Sequence, residues 1–260
     1  MNYRWWSSCR TTPGIRRSVN EDAYLSLDEI GLWVVADGMG GHTRGDVASR
    51  IVIESLKDIK RPHSMDDFVT AVKGGLVLAN RAMRERMLRA GTGQVMGSTV
   101  VAFLVFRREW RCVWAGDSRA YLMRDGHLVQ ITHDHSVTQE LIDRGELREE
   151  DAANHPAANR ITRAVGAQDT LALDEYASML RDDDVILLCS DGLTKEVGDD
   201  EMAGVLATRD CDDASRDLLE LCLARGARDN VTVAVIHFEV TTGVSESRPD
   251  DTVVNYGLTA

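Results

Sequence analysis

Four aspartates stand beside short apolar runs. Three runs rich in Val, Ile, Leu and Trp end at Asp37, Asp117 and Asp191, and a fourth begins just after the Asp229–Asn230 pair. Short runs of β-branched and aromatic residues predict buried strands. If these strands share one sheet system, four carboxylates gather at one edge and repel each other unless a cation neutralises them.

Carboxylates are hard oxygen ligands, so this pattern favours Mg²⁺ or Mn²⁺. For a single site, an ordinary Asp-Gly turn is the better explanation of the residue. Four such sites together favour a metal centre. His133 and His135 are the alternative ligands, for zinc, but no third His or Cys stands at a suitable spacing.

The bulk composition narrows the class of protein. The chain has 260 residues, a hydrophobic fraction of 43% and only 4 Pro, which indicates one large ordered domain. A net charge of −12 argues against nucleic acid or an anionic membrane as partner, because those surfaces select clustered Lys and Arg.

The sequence shows no targeting signal and no pattern of paired cysteines, and we therefore expect a cytoplasmic protein. No stretch approaches the roughly 20 apolar residues of a membrane helix, and residues 1–9 lack the basic-then-apolar pattern of a secretory signal. The 5 Cys are odd in number and form no C-x-x-C pair, so we expect free thiols.

The apolar pattern predicts the strands that must position the aspartates. A glycine-rich loop is expected at Asp37–Gly45 and a tight hairpin turn at Asp125–Gly126. The expected strands are Tyr3–Arg10, Ala23–Leu27, Gly31–Ala36, Thr99–Phe106, Trp110–Ala115, Ala120–Met123, Leu128–Ile131, Leu171–Ala177, Val185–Cys189 and Asn230–Val240.

Helical spacing predicts helices before and after the central strands. A helix covers Ala48–Ile59, and a longer one runs from Ser64 to Met87, interrupted at Gly74–Gly75, where we expect a bend. Three further helices are expected at Val137–Arg144, about Glu201–Thr208 and Ala214–Ala224. The expected fold is α+β: a four-layer α-β-β-α sandwich of two antiparallel sheets flanked by helices, with the metal site at one end.

Six motifs now carry a resemblance to a known family. The chain resembles the metal-dependent protein serine/threonine phosphatases, the type 2C phosphatases, in their compact bacterial form. The motifs appear in the family's order over residues 14 to 230: Gly14-x-x-Arg17-x-x-Asn20–Glu21–Asp22, Asp37–Gly38–Met39–Gly40–Gly41–His42, Gly116–Asp117–Ser118–Arg119, Asp134–His135–Ser136, Ser190–Asp191–Gly192–Leu193 and Asp229–Asn230. The resemblance implies a catalytic domain over residues 1–240. Residues 241–260 have little apolar periodicity, so we expect them to form a flexible tail.

The resemblance implies a centre of two Mn²⁺ or Mg²⁺ ions whose water attacks the phosphorus atom of the substrate in line. Asp37 matches the carboxylate that bridges both ions, and the carbonyl of Gly38 matches a backbone ligand of one of them. Asp191 and Asp229 match the carboxylates of the other ion.

Two further metal positions stay open. Glu21 and Asp22 match residues that hold metal-bound waters or one ion directly, and the resemblance does not distinguish them. Asp117 matches a position that helps Asp191 to bind a third, weaker ion, with a structural turn as its alternative. Asn230 is expected to orient the carboxylate of its neighbour Asp229.

Arg17 matches the family's phosphate-binding arginine. A guanidinium suits this role because it can donate hydrogen bonds to two phosphate oxygens at once. Only the spacing to Asn20 selects it over Arg16, for which we expect a solvated loop charge.

One departure from the family concerns the proposed general acid: animal members have a histidine after the Asp-Gly pair, where this chain has Met39. His42 does not match that position, so packing or loop hydrogen bonding is its expected role.

The resemblance favours a phosphatase that removes phosphate from phosphoserine and phosphothreonine in proteins and opposes a bacterial Ser/Thr kinase. The region from Asp134 to Gly166 matches the family's flap, which could help to select substrates. We expect a monomer. The alternatives are an inactive relative that binds phosphoproteins as a scaffold, and an unrelated two-metal hydrolase of small phosphoesters.

Overall fold

The computed structural model describes residues 2–40, 44–91 and 95–241. The strands are β1 (Asn2–Thr12), β2 (Asp22–Leu27), β3 (Leu32–Gly40), β4 (Met96–Ser98), β5 (Val100–Phe106), β6 (Glu109–Ala115), β7 (Arg119–Arg124), β8 (His127–Gln130), β9 (Asp174–Met179), β10 (Asp184–Cys189) and β11 (Val231–Thr241). The helices are α1 (Gly45–Leu56), α2 (Met65–Ala90), α3 (Val137–Asp143), α4 (Glu149–Ala152), α5 (Asp191–Thr194), α6 (Asp199–Leu206) and α7 (Cys211–Ala224).

The strands form two antiparallel sheets. One has the order β1-β11-β10-β7-β8, and the other has the order β2-β3-β5-β6-β9, with β4 paired to β3. Helices α1 and α2 cover the second sheet, while α5, α6 and α7 cover the first. The predicted four-layer α-β-β-α sandwich is confirmed. In the described ranges, no helix is long and apolar enough to cross a membrane.

Strand β3 shows why the sequences of the central strands are apolar without interruption. Leu32 and Val34 pack against the helices, whereas Trp33 and Val35 pack into the core between the two sheets. Side chains alternate between the two faces of a strand, and here both faces are covered. An uninterrupted apolar sequence is therefore required.

Some element boundaries differ from the prediction. We expected a loop to begin at Asp37, but β3 continues through Gly40 because Gly38 and Met39 pair with β4. The strand expected at Leu171–Ala177 is instead β9, an edge strand with exposed side chains and no apolar alternation to mark its ends. Nothing in the apolar pattern predicted β4, α4 or α5, since each is only three or four residues long. His42 and the predicted tail beyond Thr241 lie outside the described residues.

Helix α2 runs from Met65 to Ala90 without the interruption expected at its glycine pair. A Cβ on Gly75 would lie 2.7 Å from Leu56 Cδ2 and 2.8 Å from the Ser55 carbonyl oxygen, whereas one on Gly74 would meet no atom within 4 Å. Gly75 therefore lets α1 approach α2, and Gly74 has no such role.

We predict opposite effects for the two glycines. Gly74→Ala should raise the free energy of unfolding by about 1 kcal/mol, since alanine favours the helix. Gly75→Ala should lower it by about 1–3 kcal/mol, because the backbone of α1 must move. Urea unfolding of both variants measures the difference. Equal effects would show that the two helices are not in close contact at Gly75.

Candidate active site

The alternation of β3 directs Asp37 toward the space between the sheets. Asp37 follows Trp33 and Val35 on the same face, at the end of the inter-sheet core. Asp22, the first residue of β2, stands directly opposite Asp37 in the register. Residues opposite each other in an antiparallel pair share one face, so the two carboxylates point into the same space.

Asp22 is buried and only half satisfied. Its Oδ2 accepts hydrogen bonds from Ser190 Oγ and Thr232 Oγ1, each at 2.7 Å. Its Oδ1 is buried and accepts no hydrogen bond from any residue that the structure describes. One oxygen is thus fixed by the protein and the other is open to a ligand.

Asp191 and Asp229 complete the far side of the cluster, where two cations meet them. Lys195 Nζ lies 2.5 Å from Asp191 Oδ2 and 3.2 Å from Asp229 Oδ2. Arg17 Nη2 lies 2.9 Å from Asp229 Oδ1. The Oδ1 of Asp191 is a second buried oxygen that lacks a hydrogen-bond donor within the described part of the chain.

A hydroxyl pair connects Asp37 to the turn that carries Asp117. Thr99 Oγ1 accepts a hydrogen bond from the Asp37 backbone N–H at 3.0 Å and lies 2.7 Å from Ser118 Oγ. The Asp37 carbonyl in turn accepts from the Thr99 N–H at 2.8 Å. Thr99 was missed by the sequence reasoning, because a threonine at the start of an apolar strand carries no distinctive signal.

Gly38 is required by close backbone packing. A Cβ at this position would lie 1.9 Å from the Gly45 carbonyl oxygen and 2.7 Å from that of Glu21. Glu21 Oε1 accepts a hydrogen bond from the Gly45 N–H at 3.1 Å, at the start of α1. The Glu21 carboxylate is therefore engaged with α1, whereas Asp22 keeps an open oxygen.

Like charges and burial disturb the titration of the cluster. Burial raises the pKa of Asp37, and the carboxylates of Asp22, Asp191 and Asp117 raise it further. Burial, with neighbouring carboxylates, also raises the pKa of Asp22 and of Asp117 to about 7 from 3.8. Burial raises the pKa of Asp191 as well, although Lys195 opposes the change. The folded protein thus holds more negative charge here than its own cations neutralise.

This donor set fits hard divalent cations. The cluster contains carboxylate oxygens, two of which are buried and receive no hydrogen bond from the described residues. Its carboxylates also repel one another, and a bound cation would relieve that repulsion. Among the described residues, no three Asp, Glu, His or Cys side chains enclose one point as a closed ligand group. Mg²⁺ sites accommodate this, since the ion keeps several of its waters and takes few protein ligands.

The cluster opens into a polar cavity of about 560 Å³. Acidic and basic side chains line it together, and residues from α3, α4 and the following segment form one wall. The lining includes Arg17, Asp117, Arg119, Asp134, Gln139, Glu149, Asn159, Asp191, Lys195, Arg228 and Asp229. Arg17 lines this cavity, whereas its neighbour Arg16 is an exposed loop residue that does not.

Asn230 holds the loop that carries Arg17. Its Nδ2 donates to the carbonyl oxygens of Pro13 at 3.1 Å and Val19 at 3.0 Å, and its Oδ1 accepts from the Glu21 N–H at 2.9 Å. Only its backbone N–H contacts Asp229 Oδ1, at 3.1 Å. The expected orienting role therefore falls to the backbone of Asn230, and its side chain anchors the loop instead.

The two histidines weighed as zinc ligands are engaged elsewhere. His135 Nδ1 accepts from the Gly116 N–H at 3.1 Å, and its Nε2 lies 3.1 Å from Asp174 Oδ2. His133 Nε2 lies 2.8 Å from Asp143 Oδ2 on the surface. Met39 lies in β3 opposite Gly97.

Known proteins are similar to this chain in fold and in sequence. The family model described as Protein phosphatase 2C matches residues 15–229. The chain is 32% identical over 241 residues to a Streptococcus pyogenes protein named putative protein phosphatase 2C-type, covering 89% of this chain and 97% of that one. Its structure is similar to that of PppA from Pseudomonas aeruginosa, with a TM-score of 0.83, 42% identity and coverage of 91% and 97%.

A third relative is the serine/threonine phosphatase PstP of Mycobacterium tuberculosis. Its crystal structure matches with a TM-score of 0.84 and 34% identity, covering 92% of this chain and 100% of that one. Another structure, of the PstP catalytic domain, contains 2 manganese ions. The chain spans 44% of the full length of PstP.

The raised carboxylate pKa values predict how the metal-free protein responds to pH. Asp22 and Asp117 titrate near pH 7 when folded and near 3.8 when unfolded, so the folded state holds more protons between these values. The free energy of unfolding should therefore fall by on the order of 1–2 kcal/mol from about pH 6 to about pH 8. Burial lowers the pKa of His135, so this single group contributes a change of the opposite sign.

Urea unfolding in the presence of a chelator measures the effect. Asp22→Asn removes one of the two groups and should flatten the dependence. Stability that rises with pH over this interval would contradict the cluster's electrostatics.

Proposed function

The chain belongs to the protein phosphatase 2C family, and on that premise we propose that its acidic cluster holds two Mn²⁺ or Mg²⁺ ions and hydrolyses phosphoserine and phosphothreonine in proteins. The observation that supports this most directly is the pair of buried, donor-free oxygens on Asp22 and Asp191, among carboxylates that raise each other's pKa.

The residues divide between two ions. Asp37 would hold both ions, together with Asp22 and the Gly38 carbonyl for one of them and Asp191 and Asp229 for the other. Asp22 is preferred over Glu21 as the direct ligand because the Glu21 carboxylate already accepts the Gly45 N–H. Asp117 stands beside Asp191 and is the candidate for a third, weaker ion.

When bound, such ions supply the positive charge that activates a water and stabilises the phosphoryl oxygens. Arg17 binds and orients the phosphoryl group, since its guanidinium lies at the cavity and forms a fork of donors. Met39 follows Asp37–Gly38 and has no proton to give. Met39 therefore cannot protonate the leaving alkoxide, and a water supplies this proton.

The partners follow from this chemistry. Phosphorylated proteins are the substrates, and a bacterial Ser/Thr kinase supplies them. We further propose that residues 1–240 form the catalytic domain, with residues 241–260 as a tail, and that the protein acts as a cytoplasmic monomer. The complete set of carboxylates argues against an inactive scaffold.

Removal of the metal and the Asp37→Asn variant together test the proposed function. Hydrolysis of a phosphothreonine peptide should require Mn²⁺ or Mg²⁺ and stop with EDTA. Asp37→Asn should lower turnover about a thousandfold by removing the bridging charge, while raising the melting temperature of the metal-free protein, because repulsion falls. Asp169→Asn, at an exposed carboxylate, is the control. Full activity after exhaustive chelation would refute the mechanism.

Arg17 separates phosphate binding from metal binding. Arg17→Ala should lower kcat/KM about 10- to 150-fold, which corresponds to about 1.5–3 kcal/mol for a lost charge-assisted hydrogen bond. Its Mn²⁺ affinity should stay unchanged or improve slightly, because Arg17 now pairs with Asp229. Arg16→Ala is the matched control. Steady-state kinetics and calorimetric Mn²⁺ titration measure both quantities; equal effects from the two variants, or a collapse of Mn²⁺ binding in Arg17→Ala, would assign the loop a structural role.

A further inference from the structure

Lys195 stands in an unusual place for a lysine, inside a cluster of carboxylates. It follows the short helix α5, four residues and one turn after Asp191. Its ammonium contacts Asp191 Oδ2 at 2.5 Å and Asp229 Oδ2 at 3.2 Å. Lys195 lines the cavity, and about a third of its side chain is exposed, at 34%.

The other cations that line the cavity are placed differently. Arg17 pairs with Asp229 alone, Arg119 with Asp134, and Arg228 with Glu196. Lys195 joins two carboxylates of the cluster, and its charge also acts on Asp117 across the cavity.

From this geometry we infer that Lys195 is a built-in counter-ion of the acidic cluster. It occupies carboxylate oxygens that a divalent ion would use, so it stabilises the metal-free protein and weakens Mn²⁺ binding, most of all for a third ion between Asp117 and Asp191. This inference rests on the proposed function, because it assumes that the cluster binds metal.

The physical reason is competition within the chain. An ammonium tethered next to Asp191 does not diffuse away, so each ion that binds there must displace it or share the carboxylate with it. A positive charge a few ångströms from the site also repels an incoming cation. Without Lys195, the same carboxylates would repel each other more strongly in the metal-free state.

Calorimetric Mn²⁺ titration and thermal melting of the metal-free protein test this in four proteins: wild type, Lys195→Gln, Lys195→Arg and Lys73→Gln. Lys73 is a matched control, since its ammonium pairs with Glu175 at 2.7 Å and its side chain is 38% exposed, but it lies on α2 outside the cavity. Circular dichroism confirms that each variant is folded.

Lys195→Gln should bind Mn²⁺ about tenfold more tightly, take up a third ion at a lower Mn²⁺ concentration than wild type, and melt about 2–4 °C lower without metal, a shift typical of about 1 kcal/mol in a domain of this size. Lys195→Arg keeps the charge and should resemble wild type, as should the Mn²⁺ affinity of Lys73→Gln. If wild type binds Mn²⁺ and Lys195→Gln binds it equally or more weakly, the inference about Lys195 is wrong while the proposed function stands. Absence of Mn²⁺ binding in wild type would instead overturn the proposed function.

Discussion

The burial of several like charges at one end of the sandwich is the constraint on which the rest of the structure depends. Asp22, Asp37, Asp117 and Asp191 have raised pKa values because they are taken out of water and placed beside one another. A fold keeps such a cluster only if the surrounding structure fixes it firmly. Each device around it supplies part of that support: hydroxyl donors on Asp22, the Thr99 bridge under Asp37, and the ammonium of Lys195.

The two-sheet sandwich makes this arrangement possible through strand alternation. The face of β3 that packs Trp33 and Val35 into the inter-sheet core becomes, one step further, the face that presents Asp37. The same interior continues from apolar side chains to carboxylates without a loop between them. Asp22 and Asp37 therefore stand on strands, which hold side chains more accurately than loops do.

The sequence predicts the aspartates well and their supports poorly. A carboxylate that ends an apolar run is visible in the chain, so Asp37, Asp117 and Asp191 could be named, and the apolar periods indicated both sheets and the main helices. The supports act across long separations: Thr232 and Asp22 are 210 residues apart, and Thr99 and Asp37 are 62 apart. Threonine, serine and lysine are common at such positions in any chain, so no local pattern identifies them. Strand β9 was misplaced for a related reason, since an exposed edge strand has no apolar alternation to mark its ends.

Asn230 supports both the Arg17 loop and the acidic cluster. Its backbone contacts Asp229, while its side chain fixes both ends of the segment from Pro13 to Glu21 that carries Arg17. Arg17, the carboxylates at the start of β2 and the carboxylate before β11 are thus positioned from one residue. Arg17 and Lys195 both pair with Asp229, so a change in charge at that carboxylate acts on Arg17 directly. Asp229 is for this reason the carboxylate through which the acidic cluster and Arg17 are electrostatically linked.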